Sequence, residues 1–463
     1  MSGKYKRHEN KGMQIMIVGC GKVGSTLVSR LSDEGHNITV VDQRPEVIQE
    51  ICEAHDVLGI IGNGASFSVQ LEADVESKDL LIAVTDSDEL NLLCCTIAKK
   101  IGTHCATIAR VRNPELSKDR YYLREQLGLS MIINPELEAA NEMARLLRFP
   151  GAISINSFAK GHVEMIKFKI PDDSTLHGCP LYKLQAEQVL ICGVERYDTL
   201  VIPDGNFVLQ AGDVVTFVAT YANAYHFFRR AGIPNHRVSN SMIIGGGKTS
   251  YYLAKQLLEL GIEVKIIEMN MKRCEELSAL LDNAIIVCGD GTDEQLLDKE
   301  GLDRTESFIA LTGMDEENIL LTLHAKRNPL TKVITKVNRI TFNSVIESLE
   351  LGSVIYPKHI TAEAILAYVR ARHNSLASSN VETLYHVFDN RAEAIEFHIK
   401  QESAVVGVPL KKLQTKENLL IACIYRKGKV IIPGGNDEIR IGDVVIVVTM
   451  HTGFDDIDDI LAK

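Results

Sequence analysis

The chain has 463 residues, 45% of them hydrophobic and 24% charged, which is long enough for several buried cores and too apolar for a disordered chain. A formal net charge of -11 argues against broad attraction to nucleic acid or anionic lipid, and the longest apolar stretches, residues 80–84 and 444–448, fall far short of the ~20 needed to cross a bilayer. The ten cysteines form no CxxC pair and the histidines lack metal-ligand spacing, so a reducing compartment and no metal centre are expected, with Cys94, Cys95 and Cys288 as small core residues inside apolar runs.

The opening MSGKYKRHENKG is basic, lacks the apolar segment of a signal peptide and reads as a frayed tail. Apolar strand-length runs then follow at 15–18, 38–41, 57–61, 80–84, 106–111 and 131–133. Helical patterns lie between them at 23–33, 46–54, 90–100 and 114–127, with Asp88 placed as an N-cap and Pro114 at a first helical position. Continuous apolar strands separated by helices belong to a parallel sheet covered on both faces, a doubly wound α/β domain. A helix at 137–147 leaves this sheet, and its Leu137, Ala140, Ala144 and Leu147 form either a face for packing on another domain or an ordinary core face. Beyond it, the alternation of Ile166, Phe168 and Ile170, a PDG turn and a GDVV strand predict a small α+β domain rich in antiparallel strands.

The chain is then written a second time. IMIVGCGKVGSTLVSRLSDEGHNITVVDQ, from Ile15, aligns with SMIIGGGKTSYYLAKQLLELGIEVKIIEM, 226 positions on. GNGAS at Gly62 matches GDGTD at Gly289, and LIAVTDSDELNLL matches FIALTGMDEENIL. The segment from Ser174 with its PDG and GDVV is repeated from Ser403 with PGG and GDVV. Four domains follow, at 13–150, 151–235, 239–375 and 381–463, with a second exit helix at 362–372.

Gly19, Gly21 and Gly24 follow a strand and open a helix, and Asp42 ends the next strand 18 residues later, the context that gives a GxGxxG motif meaning. Gly19 would permit the tight turn, Gly21 the approach of a diphosphate to the helix N-terminus, and Gly24 close packing of helix on strand. Asp42 would accept hydrogen bonds from ribose hydroxyls and repel a 2′-phosphate, favouring NAD(H). In the second copy Gly245 and Gly247 persist, Ser250, small enough to keep the packing, stands for the third glycine and Glu268 for the acid, which leaves open whether that site is kept, altered or empty. Its GGGKT resembles the end of a P-loop, but the first glycine such a loop requires is Met242.

Ligands of open α/β sheets sit outside the carboxyl ends of the strands, which singles out Asn63, Gly64, Thr85, Asp86, Arg110 and Arg112. Either arginine suits a terminal phosphate, or the two form surface ion pairs with Glu115 or Asp119.

With GCGKVG, VVD, GNG, VTDSDELN, RVRNPE and the paired GDVV modules, the chain resembles the nucleotide-binding regulatory subunits of bacterial Trk potassium uptake systems. These are tandem RCK (regulator of potassium conductance) proteins, in which Rossmann-like N-terminal domains alternate with small RCK C-terminal domains. The resemblance implies that Gly19, Cys20, Gly21, Lys22, Val23, Asp42, Asn63, Thr85, Asp86 and Arg110 line a first site for NAD(H) or ATP/ADP. It implies that Gly245, Gly246, Gly247, Lys248, Thr249, Glu268, Gly289 and Asp290 line a second. It also implies a homo-oligomeric, tetrameric ring, peripheral to the inner face of the plasma membrane, beneath a membrane-embedded potassium-translocating subunit.

Two copies of one nucleotide domain leave no region to position a substrate and move a proton, and His104 and His162 show no orienting partner in sequence. A regulatory subunit, not an enzyme, is therefore the expectation, with an NAD-dependent oxidoreductase as the alternative. A further possibility is a binding module whose smaller domains take another small molecule.

Overall fold

The computed structural model describes residues 12–462 except 103, 198, 234, 236–237, 329, 339–342, 378–380, 389–390 and 455; residues 1–11 of the expected tail lie outside the described residues. The chain forms two parallel-sheet Rossmann-like domains, each followed by an antiparallel-sheet domain.

The first parallel sheet comprises β1 (Gln14–Val18), β2 (Asn37–Asp42), β3 (Leu58–Ile61), β4 (Leu80–Ala83), β5 (Ala106–Arg110) and β6 (Met131–Ile133). Its order is β3-β2-β1-β4-β5-β6, so the chain reverses direction across the sheet between β1 and β4. The connecting helices are α1 (Lys22–Asp33), α2 (Pro45–Ala54), α3 (Phe67–Glu72), α4 (Asp88–Ile101), α5 (Pro114–Lys118) and α6 (Arg120–Gln126), followed by α7 (Pro135–Leu146). Ile15 and Ile17 point into one apolar layer and Met16 and Val18 into the opposite one, which is why β1 is apolar at every position after Gln14.

Two local expectations are corrected. The helix expected over 114–127 breaks at Asp119 into α5 and α6. The cap of α4 is Ser87, whose hydroxyl accepts from Leu90 N at 3.1 Å, because the Asp88 carboxylate instead accepts from Arg112 N and Asn113 N at 2.8 and 2.7 Å.

The first antiparallel sheet is built from β7 (Ala152–Phe158), β8 (Val163–Lys169), β9 (Leu190–Arg196), β10 (Thr199–Val201) and β11 (Val214–Ala219), in the order β10-β9-β11-β8-β7, with α8 (Tyr221–Arg230). The second parallel sheet repeats the plan of the first with β12 (Asn240–Ile244), β13 (Glu263–Glu268), β14 (Ile285–Cys288), β15 (Ser307–Ala310), β16 (Lys332–Lys336) and β17 (Ser353–Ile355). Its helices are α9 (Lys248–Glu259), α10 (Met271–Leu280), α11 (Glu294–Lys299), α12 (Asp315–Ala325), α13 (Asn343–Ser348) and α14 (Pro357–Ala377). The last sheet holds β18 (Val381–Val387), β19 (Ala392–His398), β20 (Leu419–Arg426), β21 (Lys429–Ile431) and β22 (Val444–Thr449).

Each GDVV motif has a structural cause. Asp213 takes a two-pronged ion pair from Arg196, with Nε and Nη2 both at 2.7 Å, and Asp443 takes the same from Arg426. Within one unit the two antiparallel sheets share a core in which Phe158, Cys192 and Val218 meet Phe388, Ala422 and Ile446. A Cβ on Gly193 would lie 2.2 Å from the Phe388 ring, so that contact requires glycine.

The chain divides into two compact units, and the exit helices do not stay with their own sheets. Pro357–Val369, the first part of α14, groups with residues up to Glu138, and Ala362, Ile365, Leu366 and Val369 join the core over β1, α1 and β4. From Ala139 onward α7 belongs to the other unit, where Asn141 Oδ1 accepts from Gln256 Nε2 of α9 at 2.8 Å. The apolar face of α14 thus covers a sheet other than the one it follows, and most of α7 groups with the unit that holds the second sheet.

Candidate functional site

The crest of the first sheet opens at the turn after β1. Gly19 has φ +94, a region that L side chains rarely adopt, and its N–H donates to Val41 O at 2.9 Å. A Cβ on Gly24 would lie 2.0 Å from Gly19 O, so helix and strand meet only through glycine here. Gly21 is the N-cap of α1, and among the described residues no side chain caps this helix end and no acid occupies its first turn. A Cβ on Gly21 would meet nothing described within 4 Å, so the lip is open and its N–H groups are free to hold an anion.

Asp42 closes one side. Its Oδ2 accepts from Cys20 N at 2.8 Å and its Oδ1 from Arg44 N at 3.0 Å. The Arg44 guanidinium adds a two-pronged pair, Nε to Oδ1 at 3.0 Å and Nη2 to Oδ2 at 3.1 Å. Burial pushes the Asp42 carboxyl up, but the guanidinium and the two backbone N–H groups together hold it below the usual carboxylate range. The acid is thus ionised and already satisfied.

Opposite, Thr85 N and Oγ1 both donate to Asn91 Oδ1, at 2.8 and 2.7 Å, while Asn91 Nδ2 donates to Arg110 O at 2.9 Å. One buried asparagine therefore ties the ends of β4 and β5 together. Asp86 is exposed and accepts from Arg110 Nη2 at 3.1 Å, and Arg112 donates to Asp86 O and pairs with Asp88 at 3.5 Å. Burial, then the neighbouring Arg112, lower the Arg110 pKa, opposed by Asp86. Among the described residues the arginines pair with Asp86 and Asp88, and no ion pair joins them to Glu115 or Asp119.

A cleft of about 330 Å³ opens here, with Gly19, Gly21, Asp42, Arg44, Thr85 and Asp86 in its walls, whereas Arg110 and Arg112 stand outside its lining. Gly64 also lines it, and a Cβ there would lie 2.2 Å from Val18 Cγ1. Asn63 shapes the adjoining turn, its Oδ1 accepting from Ala65 N at 3.0 Å. Lys22 is exposed at the start of α1, whereas Cys20 and Val23 turn their side chains into the core. Burial and the Asp42 charge push the Cys20 thiol up to about 12, so it is inert at neutral pH. Arg44 and Asn91 went unassigned in the sequence, although Asn91 recurs as Asn318 in the second copy of the DELN segment.

The second crest keeps the turn and changes its fittings. Gly245 has φ +97, and Gly247 caps α9, again with no capping side chain among the described residues. Ser250 is buried, and its Oγ donates to Gly245 O at 2.5 Å, turning a close approach into a hydrogen bond. Glu268 Oε2 accepts from Gly246 N at 2.6 Å and Oε1 from Asn270 N at 2.8 Å. A Cβ on Gly246 would lie 2.7 Å from Leu277 Cδ1, and Arg273 Nε donates to Gly246 O at 2.7 Å. Lys248 is exposed and Thr249 buried at the start of α9. A Cβ on Gly289 would lie 2.5 Å from Leu296, and Asp290 Oδ1 accepts from Thr292 N and Oγ1, which hold its pKa down.

Residues 15–135 and 241–357 match the TrkA-N domain family, and residues 165–232 and 394–462 match the TrkA-C domain family. The chain is 32% identical over 454 residues to the Trk system potassium uptake protein TrkA homolog 1 of Methanosarcina mazei, covering 96% of this chain and 99% of that one. This chain belongs to the TrkA family. A second relative, the Trk system potassium uptake protein TrkA of Vibrio alginolyticus, is 30% identical over 448 residues, covering 95% of this chain and 96% of that one. Among solved structures, the GsuK channel superposes with a TM-score of 0.63 at 17% identity, covering 95% of this chain and 77% of that one. A structure titled GsuK channel bound to NAD gives 0.62 at 18%, with 95% and 77% covered. At that identity the likeness to GsuK is one of fold. Among the described residues of this TrkA-family chain, no helix is long and apolar enough to cross a membrane.

Proposed function

We propose that this chain is a nucleotide-responsive regulatory subunit that gates a membrane potassium uptake transporter. The observation that carries the reading is the first cleft, where an uncapped helix N-terminus opens beside an ionised acid across a space of about 330 Å³. It fits a dinucleotide such as NAD(H), with the diphosphate on the N–H groups of the α1 first turn and a ribose at Asp42. ADP or ATP would use the same two features, with Arg110 and Arg112 within the crest for a terminal phosphate.

Four domains in alternating order, a membrane-embedded translocating partner, a homo-oligomeric ring and a place at the cytoplasmic face complete the proposal. The names of the relatives, which are for potassium uptake and not for a reaction, support it. To act as a switch, the ligand must bind two conformations with different affinity. The exit helices offer a route, because α14 runs from the core of the first sheet into the unit that holds the second.

The test combines binding and transport. Asp42→Ala with Gly21→Ala removes the acid and places a methyl group where the anion would sit. Potassium flux through the reconstituted system should lose its dependence on NADH, NAD, ATP and ADP, and calorimetry should show lost affinity at the first site. Control that survives the double substitution would reject the site.

A further inference from the structure

Away from the first cleft, two thiols stand at the second crest. Cys274 lies in the first turns of α10 and Cys288 ends β14. Their sulfurs converge on consecutive carbonyls, Cys274 Sγ donating to Glu268 O at 3.2 Å and Cys288 Sγ to Met269 O at 3.9 Å. The two thiols are also close enough for Cys288 to raise the pKa of Cys274. Cys274 is buried, whereas Cys288 is exposed, contrary to the core position expected of it, because β14 is the outermost strand of its sheet. The first domain has Ile48 and Ile61 at the corresponding places, so the pair is peculiar to the second copy.

We propose that Cys274 and Cys288 are an oxidation site, at which a hydroperoxide closes a disulfide that pins α10 to β14 beside Glu268. The exposed Cys288 sulfur attacks the peroxide; an S–O bond forms, the O–O bond breaks, and the departing oxygen leaves as water (as an alcohol from an organic peroxide), giving a sulfenic acid. The Cys274 sulfur then attacks that sulfur; the S–S bond forms, the S–O bond breaks, and hydroxide leaves as water with the Cys274 proton. Two thiols are oxidised and one peroxide reduced. The order follows from access, since Cys288 is exposed and Cys274 buried, and burial, with the neighbouring Cys288, holds the Cys274 thiol up at about 11.

Glu268 occupies the position of the ribose-accepting acid, and Cys274 hangs from its carbonyl. A bond between the sulfurs would therefore fix the wall of the second cleft, and this consequence rests on reading that crest as a nucleotide site. The thiol chemistry does not.

The test is direct because no lysine or arginine lies between the two cysteines, so trypsin releases residues 274–299 as one peptide. The full chain is treated with dilute hydrogen peroxide, freed of peroxide, unfolded in guanidinium, alkylated with iodoacetamide and digested. Both cysteines of that peptide should resist alkylation and both should regain it after dithiothreitol. In Cys288→Ser, Cys274 should stay alkylatable under the same oxidation. Cys288 oxidised while Cys274 still alkylates, or Cys274 blocked in the Cys288→Ser chain, would overturn the site. Calorimetry with ADP on reduced Asp42→Ala then asks separately whether the second crest binds at all. If it does, oxidation should change that affinity and dithiothreitol should restore it; an identical affinity before and after oxidation would overturn control of the cleft.

Discussion

The two parallel-sheet domains share a backbone and differ in charge. Both turn on a positive-φ glycine, both leave the N-terminus of the following helix uncapped among the described residues, and both use a buried asparagine, Asn91 or Asn318, to tie two strand ends together. Around that shared frame the first crest carries Asp86, Arg110 and Arg112, where the second has Gly313, Lys336 and Asn338. Asp42 is clasped by Arg44, while Glu268 faces Asn270. Backbone features that would cradle a diphosphate persist in both copies, and the side chains that would read the rest of a ligand persist in only one. Duplication with retained folding constraints and relaxed recognition constraints gives this pattern.

The largest effect should come from exchanging the third residue of the turn. Gly24→Ser places a Cβ 2.0 Å from Gly19 O and should cost about 2–3 kcal/mol by overpacking. The reverse exchange, Ser250→Gly, loses a single hydrogen bond to Gly245 O and should cost about 1 kcal/mol. Thermal unfolding of the full chain checks the ranking, and equal shifts would mean that the two turns are interchangeable.

The acids sharpen the same comparison. If a ribose docks at Asp42, Asp42→Ala removes a charged acceptor worth about 1.5–3 kcal/mol, roughly a tenfold to hundredfold loss in affinity. Glu268→Ala should cost less, since the second crest lacks both arginines. Calorimetry with NADH on each variant decides it; a greater loss at Glu268 would make the second domain the principal sensor.

Much of this was legible in the residues. Strand β1 is apolar at both phases because both faces are covered, and the duplication exposes every strand of the second sheet once the first is found. Other features depend on contacts distant in sequence. Asp88 looks like a cap, but its carboxylate is drawn to the backbone of residues 112 and 113. Exchange of α7 and α14 leaves no periodicity of its own, since an apolar face does not say which sheet it covers. The role of Arg44 rests on a side-chain fork reaching back two residues, which a strand-ending VVDQR does not disclose.

A difference in pH response should follow from β16. Lys332 is half-buried, its Nζ turned inward and donating to Ala152 O and to Ser353 Oγ at 2.9 Å, where the first domain has Ala106 in β5. Burial lowers its pKa from 10.5 to about 7. Between these values the unfolded chain holds a proton that the folded chain lacks, so stability rises with pH across about 7 to 10.5, and the penalty for the buried charge is full below 7. Lys332→Ala, which restores the residue of the first domain, should flatten the slope over that window. An unchanged slope in chemical unfolding would show that other groups set it.

The smallest effect expected is at Arg44. Its guanidinium is more than half exposed, so the pair with Asp42 is screened by water and adds little to folding. Yet it occupies both oxygens that a ribose diol would use, and a ligand must displace two hydrogen bonds to reach them. Arg44→Ala should therefore tighten binding of NADH or ADP by a small factor, well below the loss at Asp42, because the acid is released without being removed. The same change should weaken any binding of NADPH, since the cation beside the ribose would be gone and Asp42 would repel the 2′-phosphate. Calorimetry with the two dinucleotides reads this as a shift in their ratio. Equal changes for both would reduce Arg44 to a surface partner of Asp42, and the crests would then differ at the ribose end only in the length of their acids.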